Sequence, residues 1–295
     1  ALMIGAFVER IKFSAMLIFL SMWLLIVYVP VTHWVWGGGI LSSWGTMDFA
    51  GGIVVHATAG TAALVTALTL GKRRGFPKSI TPPHSPILTM IGASMLWIGW
   101  FGFNAGSALG ANGGAGMAML VTHISAATAS LVWMFIEWKR FGKPSLIGIV
   151  TGMVAGLATV TPASGYIGVP GGLILGFFGG LLCYLAVDFI RGKLQIDDSL
   201  DVFAVHGVGG ILGTLLVAFL ATSTFSGLGL AEGQTAVTQF FVQLKAVILT
   251  VVWTSVFTYL ILKITSFIVP LRVEEQEEIE GLDLRSHGEK GYHSD

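Results

Sequence analysis

Apolar positions along this chain gather into runs too long and too continuous for the core of a soluble domain. Eight of them, at about 13–32, 50–70, 87–109, 115–137, 145–163, 168–190, 202–222 and 240–269, each predict a helix able to cross a bilayer. The fifth is short and rich in glycine and threonine, and hydropathy alone would pass over it. The eighth, at 240–269, is long enough to tilt strongly or to protrude.

The polar stretches between the runs differ in charge. Arg10 and Lys12 precede the first run, and Lys72, Arg73, Arg74 and Lys78 separate the second from the third. Lys139, Arg140 and Lys143 follow the fourth, and Arg191 and Lys193 follow the sixth. The loops 33–49, 110–114, 162–169 and 223–239 hold no lysine or arginine. With eight spans, this alternation puts the basic loops and both ends of the chain in the cytosol of a cell-membrane protein. A different number of spans would break it.

Composition agrees. Hydrophobic residues make up 54% and charged residues 11%, against about a quarter charged in a soluble domain. Mean hydropathy is +0.81. This predicts an all-α, polytopic membrane bundle, and the 40 glycines fit helices that approach closely through small residues. The lone Cys183 excludes an intrachain disulfide and a cysteine metal cluster. A net charge of zero gives no sign of a nucleic-acid partner. The apolar residues 1–7 precede their basic flank, so they read as the tail of an earlier span and not as a signal peptide. Residues 272–295 turn acidic and polar and read as a cytosolic tail, apart from a transmembrane domain at 1–271.

Two stretches carry ionisable residues into the apolar runs. Asp48 precedes His56 by eight residues, and Asp198 precedes His206 by the same count. A valine stands before each histidine, and Gly60 and Gly210 stand four residues after. Eight residues of helix rise ~12 Å, which puts each histidine near the midplane of a core ~30 Å thick. Buried ionisable groups there mark a pathway or relay. The spans run in opposite directions, so the repeat is inverted, with Asp48 at the outer mouth and Asp198 at the inner one. Inverted halves meeting at a midplane site are a plan of membrane transporters. Two neutral imidazoles sharing one N–H···N bond keep such a path polar yet uncharged. A metal site would also take neutral imidazoles, but acids ~12 Å away along each helix are too far for one ligand shell. His123, alone in the fourth span, reads as a satisfied core histidine. His33 and His84 fall at loop or interface positions. No phosphate loop or nucleophile triad is present.

Ordered blocks along the whole chain resemble the ammonium transporter family, on its Amt branch within the Amt/Rh group. They are Gly-Ala-Phe-Val-Glu-Arg-Ile-Lys-Phe (5–13), His-Trp-Val-Trp-Gly-Gly-Gly (33–39), Asp-Phe-Ala-Gly-Gly with Val-Val-His (48–56), and Trp-Phe-Gly-Phe-Asn-Ala-Gly-Ser (100–107). Thr-Pro-Ala-Ser-Gly-Tyr-Ile-Gly (161–168), Asp-Val-Phe-Ala-Val-His-Gly (201–207) and Gly-Leu-Asp…Ser-His-Gly-Glu (281–289) complete the set. The resemblance implies an eleven-span fold of which about eight spans are present here, the first three being absent apart from residues 1–7.

It further implies a homotrimer in which each subunit passes ammonia through a hydrophobic path lined by the twin histidines His56 and His206. Trp36 and Ser107 would form an outer ammonium site, with Asp48 beneath it acting both on the cation and as a helix cap. Phe103 would be one of two phenyl rings gating the path, and Asp198 the inner-side acid. The tail, through Gly281, Asp283, His287, Gly288 and Glu289, would take a regulatory role with a PII-type signalling protein. Its acids would dock on Arg10, Lys12, Arg73, Arg74 and Arg191. Neither cofactor nor catalytic residue is implied. Two alternatives stay open at this stage: an ammonium sensor on the same fold, and an intramembrane metalloenzyme.

Overall fold

The computed structural model describes residues 1–80 and 82–292. Among the described residues seven helices are long and apolar enough to cross a membrane. They are α1 (Phe13–Ser43), α2 (Gly52–Leu70), α3 (Pro86–Gly106), α4 (Gly113–Phe141), α6 (Val169–Lys193), α7 (Phe203–Leu220) and α8 (Ala236–Ile268). Between α4 and α6 lies the shorter α5 (Leu146–Val160). A short helix α9 (Glu275–Glu280) follows in the tail. Among the described residues the only strand-like pairing is one isolated bridge between Ile11 and Arg272.

The 15 residues of α5 make ~22 Å of helix, less than the ~30 Å apolar core. Its start is nonetheless held at the basic end of α4, where Glu137 accepts from Ser145 N at 2.7 Å. Its far end runs into Pro162, whose carbonyl accepts from Phe49 N at 3.0 Å beside Asp48. The chain therefore traverses the bundle here on few residues, and the connections at each end make up the length.

Small residues allow the centre to close. Gly156 of α5 and Gly176 of α6 both lie against the carbonyl of Ser125 on α4, with no room for a Cβ at either position. In a bilayer such contacts replace the hydrophobic drive that water would supply. The first span shows a different accommodation. Pro30 has no N–H for the carbonyl four residues back; the helix widens into a π turn at Leu24–Tyr28, and the freed Ile26 carbonyl accepts from Trp253 Nε1 of α8 at 3.3 Å. The predicted first run stops near residue 32, but helix continues through Trp36 to a glycine break and a last turn at Ile40–Ser43. At its other extreme the bundle leaves α3 nearly bare: Ile87, Met95 and Ile98 are 68–69% exposed, an apolar face suited to lipid or another helix and not to water.

One end of the bundle carries the charge. Arg10 is fully buried and donates to Asp197 O at 2.5 Å and Ser199 Oγ at 2.7 Å. Arg73 pairs with Asp197 at 2.9 Å and Glu9 at 2.6 Å. Arg191 faces Asp201 at 3.4 Å. The tail docks at the same end. Arg272 donates to Leu70 O at the end of α2 and to Glu278, Glu278 also accepts from Arg74 N, and Val273 N donates to Arg10 O. Of the basic residues expected to hold the tail's acids, Arg74 does so, at 3.6 Å from Glu275, whereas Arg10, Arg73 and Arg191 are engaged by acids or carbonyls outside the tail.

Two acids at this end titrate in opposite senses. Burial pushes Asp197 up, but the hydrogen bonds and charge of Arg73, with the charge of Arg10, outweigh it and hold its carboxyl below the ordinary value. Burial lifts Asp201 to about 7, against the pull of Arg191. A lowered pKa contributes stability above the unfolded value of 3.8 that is lost as pH falls through the folded one; a raised pKa contributes stability below 3.8 that is lost as pH rises through about 7. Thermal unfolding in detergent should therefore show stability falling below pH 3.8 through Asp197, and declining between 3.8 and about 7 through Asp201. In Asp201→Asn the second slope should flatten while the first persists.

Candidate functional site

α2 and α7 each begin in a π turn that contains the histidine, Gly52–Ala57 and Phe203–Gly207. A π turn adds a residue to the helical circuit and recurs at functional sites. In α2 it is anchored by Asp48, which is buried and takes all four orphan N–H groups of the helix start. Its Oδ1 accepts from Gly51 and Gly52 at 2.9 and 2.6 Å, and its Oδ2 from Ile53 and Val54 at 2.8 and 3.1 Å. Burial pushes this carboxyl above its ordinary pKa, and those four donors pull it back. Asp198 holds its repeat position less fully: Oδ2 accepts from Phe203 N at 2.6 Å, while Oδ1 is buried and has no hydrogen-bond partner among the described residues.

Between the two π turns the histidines meet. His56 Nδ1 lies 3.2 Å from His206 Nδ1, across 150 residues of sequence. Two imidazoles can bond Nδ1 to Nδ1 only if one carries the proton there and the other a lone pair. Their Nε2 atoms are then unlike, one an acceptor and the other a donor, whichever way the tautomers fall. His56 Nε2 is buried and has no partner among the described residues, and His56 lines an apolar cavity of about 600 Å³ shared with Val55, Trp100, Phe103 and Gly99.

Trp100 was not among the residues singled out from the sequence. Its ring lies parallel to both imidazoles, at 5.2 Å and 14° from His56 and at 6.3 Å and 3° from His206. Its Nε1 donates to Thr161 Oγ1 at 2.9 Å, which fixes the plane. Phe103 stands edge-on to His56 at 6.2 Å. The spacing 100, 103, 107 would place all three side chains on one helix face, a signal that was legible. Gln239 and Gln243 were likewise missed. Gln243 accepts from Met47 N at 2.8 Å and donates to Met47 O at 2.7 Å, and Gln239 donates to Gly45 O at 3.0 Å. Two glutamines four residues apart in the eighth span thus hold the loop that delivers Asp48.

The remaining sequence candidates are distributed as follows. Trp36 is 45% exposed and donates from Nε1 to Asp48 O at 2.8 Å. Ser107 returns its hydroxyl to Phe103 O at 2.8 Å, and among the described residues no hydrogen bond joins it to Trp36. His123 is not a core residue: it is exposed on α4, its ring stacked on Trp97 at 5.1 Å. In the tail, Gly281 and Gly288 have φ of +88° and +69°, His287 sits edge-on to Phe13 at 5.1 Å, and Asp283 O accepts from Glu289 N at 3.0 Å. Among the described residues no three of His, Cys, Asp and Glu converge as a metal site would need.

Comparison with known proteins gives a consistent result. The family model described as Ammonium Transporter Family matches residues 1–292. An ammonium transporter of Aquifex aeolicus is 46% identical over 293 residues, covering 99% of this chain and 68% of its own length. Ammonium transporter Amt1 of Archaeoglobus fulgidus is 47% identical over 295 residues, with 99% and 74% covered. Among solved structures, one described as a sensor Amt protein superposes with a TM-score of 0.90 at 31% identity, covering 97% of this chain and 73% of that one. Mep2 of Saccharomyces cerevisiae gives 0.79 at 36%, with 93% and 66% covered.

The two acids differ in a measurable way. Asp48→Ala orphans four buried N–H groups and should cost at least ~3 kcal/mol of stability. Asp198→Ala removes the acceptor of Phe203 N and should cost ~1–2 kcal/mol, the worth of an ordinary cap. Thermal unfolding of the two variants in detergent checks the order; equal losses would contradict it.

Proposed function

The chain belongs to the ammonium transporter family, and we propose on that ground that it conducts ammonium nitrogen through the cavity at His56. The relatives are named as transporters, which sets aside the metalloenzyme reading. The single observation that carries the proposal is the 3.2 Å contact between His56 Nδ1 and His206 Nδ1, beside an apolar cavity.

Ammonium gathers at the outer end, where the ring face of Trp36 attracts a cation and Ser107 accepts a hydrogen bond. Burial of the ion beyond that point is costly unless it sheds its proton. Potassium has no proton to shed, so the same apolar path rejects it. Neutral ammonia passes Phe103 and reaches the imidazole pair, which offers both a donor and an acceptor without a fixed charge. At the inner side, near Asp198, the molecule regains a proton. Asp48 acts mainly through structure: both carboxylate oxygens are occupied by backbone N–H groups, so its pull on the cation is through the field and not by contact.

The chain sits in the cell membrane with its basic loops and tail in the cytosol, as the positive-inside rule directs. It assembles as a homotrimer; an exposed imidazole such as His123 part-way along α4 is costly against lipid and is relieved by a neighbouring subunit. Residues 272–295 form a regulatory tail on the transmembrane domain 1–271. Through Arg272, itself bonded to Glu278, the tail rests on the end of α2, where a PII-type cytosolic protein could bias it. A second reading, an ammonium sensor on the same fold, draws on the likeness to a structure described as a sensor Amt protein.

Uptake of methylammonium by cells carrying the protein tests the path. Replacing both His56 and His206 by alanine should abolish or alter flux at an unchanged amount of membrane-inserted protein. Wild-type rate and selectivity in that double variant would refute the reading. Trp36→Leu should raise the half-saturating concentration about two- to fivefold, the worth of an exposed cation–π contact, with maximal flux nearly kept. Absence of flux with intact ammonium binding would favour the sensor.

The tail is tested separately. Gly281 has φ +88°, a sparsely populated region that costs a side chain ~1–3 kcal/mol. Gly281→Val should loosen the contacts of Glu278 with Arg74 and Arg272, seen as faster proteolysis of the tail, and change either transport or capture of a PII-type protein. No change in all three would leave the tail without a regulatory role.

A further inference from the structure

The sequence repeat contains more than acid and histidine. Gly60 and Gly210 each follow their histidine by four residues, one helical turn along the same face. In the structure α2 and α7 cross there. A Cβ placed on Gly60 would fall on the Cα and N of Gly207, and one on Gly210 would lie 2.5 Å from His56 Cβ and 2.8 Å from Gly52 O. These neighbours are backbone or backbone-fixed atoms. No rotamer change relieves such an overlap, so the two helices themselves would have to part.

The contact between the imidazoles has little slack. At 3.2 Å the Nδ1 atoms stand at the long limit of a useful N–H bond, and each ring hangs from one of the two crossing backbones. The repeat is also uneven here. Ala57 follows His56 but Gly207 follows His206, and it is Gly207 that Gly60 meets. A glycine on both sides of that contact is what the closest point of the crossing requires. We infer that Gly60, Gly207 and Gly210 are positioning residues that set the separation of His56 and His206, and so decide whether the two rings share a proton. The inference rests on the proposed role of the pair only for its effect on flux.

Gly213 supplies the control. It lies on the same helix α7 and is as crowded, but its Cβ would meet Thr159 O and Pro162, on the side of α7 facing α5, and touches neither histidine directly. Gly207→Ala supplies the milder variant: its Cβ would meet one side of the Phe203 ring, Cδ2 at 2.7 Å, and Gly60 Cα only at 3.3 Å, so a side chain and not the facing backbone takes most of the overlap.

The experiment is ¹⁵N NMR of histidine-labelled protein, as its own cell makes it, in lipid bilayers, together with methylammonium flux. Wild type should show coupling between two Nδ1 nuclei. Gly210→Ala should lose that coupling while still inserting, with flux lower by about tenfold or more, as for a displaced reacting group. Gly207→Ala should weaken it partially, and Gly213→Ala should keep it even if less protein accumulates. In a His56→Ala background, Gly210→Ala should change flux no further, since no imidazole remains to be moved. Should Gly210→Ala fail to insert, Gly207→Ala decides alone. Coupling unchanged in Gly207→Ala and in any inserted Gly210→Ala would overturn the inference. Coupling present in wild type without flux would instead overturn the transport reading and leave the positioning role standing.

Discussion

The bond between His56 and His206 is the constraint around which the structure is arranged. Two imidazoles 150 residues apart in sequence must come within 3.2 Å inside an apolar bundle. That demands two helices running in opposite directions that cross at the level of the rings, and a start to each helix that fixes its rotation. The π turns, the acids at 48 and 198 and the parallel ring of Trp100 all serve this one contact. The pair is buried, at 1% and 8% exposure.

The two halves meet the same demand with unequal means. Asp48 is saturated by four N–H groups, and its loop is pinned by Gln243 and Gln239. Asp198 keeps one buried oxygen without a partner amid the charged cluster of Arg10, Arg73, Asp197, Arg191 and Asp201. The Asp48 end is therefore tied down by backbone and glutamine hydrogen bonds, whereas the Asp198 end holds several charges in mutual reach. The tail is docked on this same end through Arg272 and Glu278.

Much of this was legible in the residues. The spacing of acid, histidine and glycine, repeated at an offset of 150, is a covalent fact that needs no folding to be seen, and the alternation of basic and neutral loops gave the direction of each half. Trp100 lay in a quoted motif, but an aromatic residue in a membrane span is too common to mark a site until its plane is known. Gln239 and Gln243 were hidden for the opposite reason: their partners are backbone atoms of a loop 194–196 residues away, and sequence carries no record of such a bond. His123 was misplaced because periodicity tells which residues share a face but not which face meets the core.

What the sequence determined by itself is the all-helical, membrane-spanning class and the pairing of two histidines, since these follow from hydropathy and internal repetition. The tertiary structure alone decided that the rings meet through Nδ1, that Trp100 lies parallel to both, and that Asp48 faces backbone while Asp198 keeps an oxygen free. It also decided which arginines the tail reaches. The physical reason is common to all of these: each depends on the rotation of one helix about its axis and on its distance from another. Those quantities are fixed by close contacts such as Gly60 on Gly207, which involve atoms far apart along the chain.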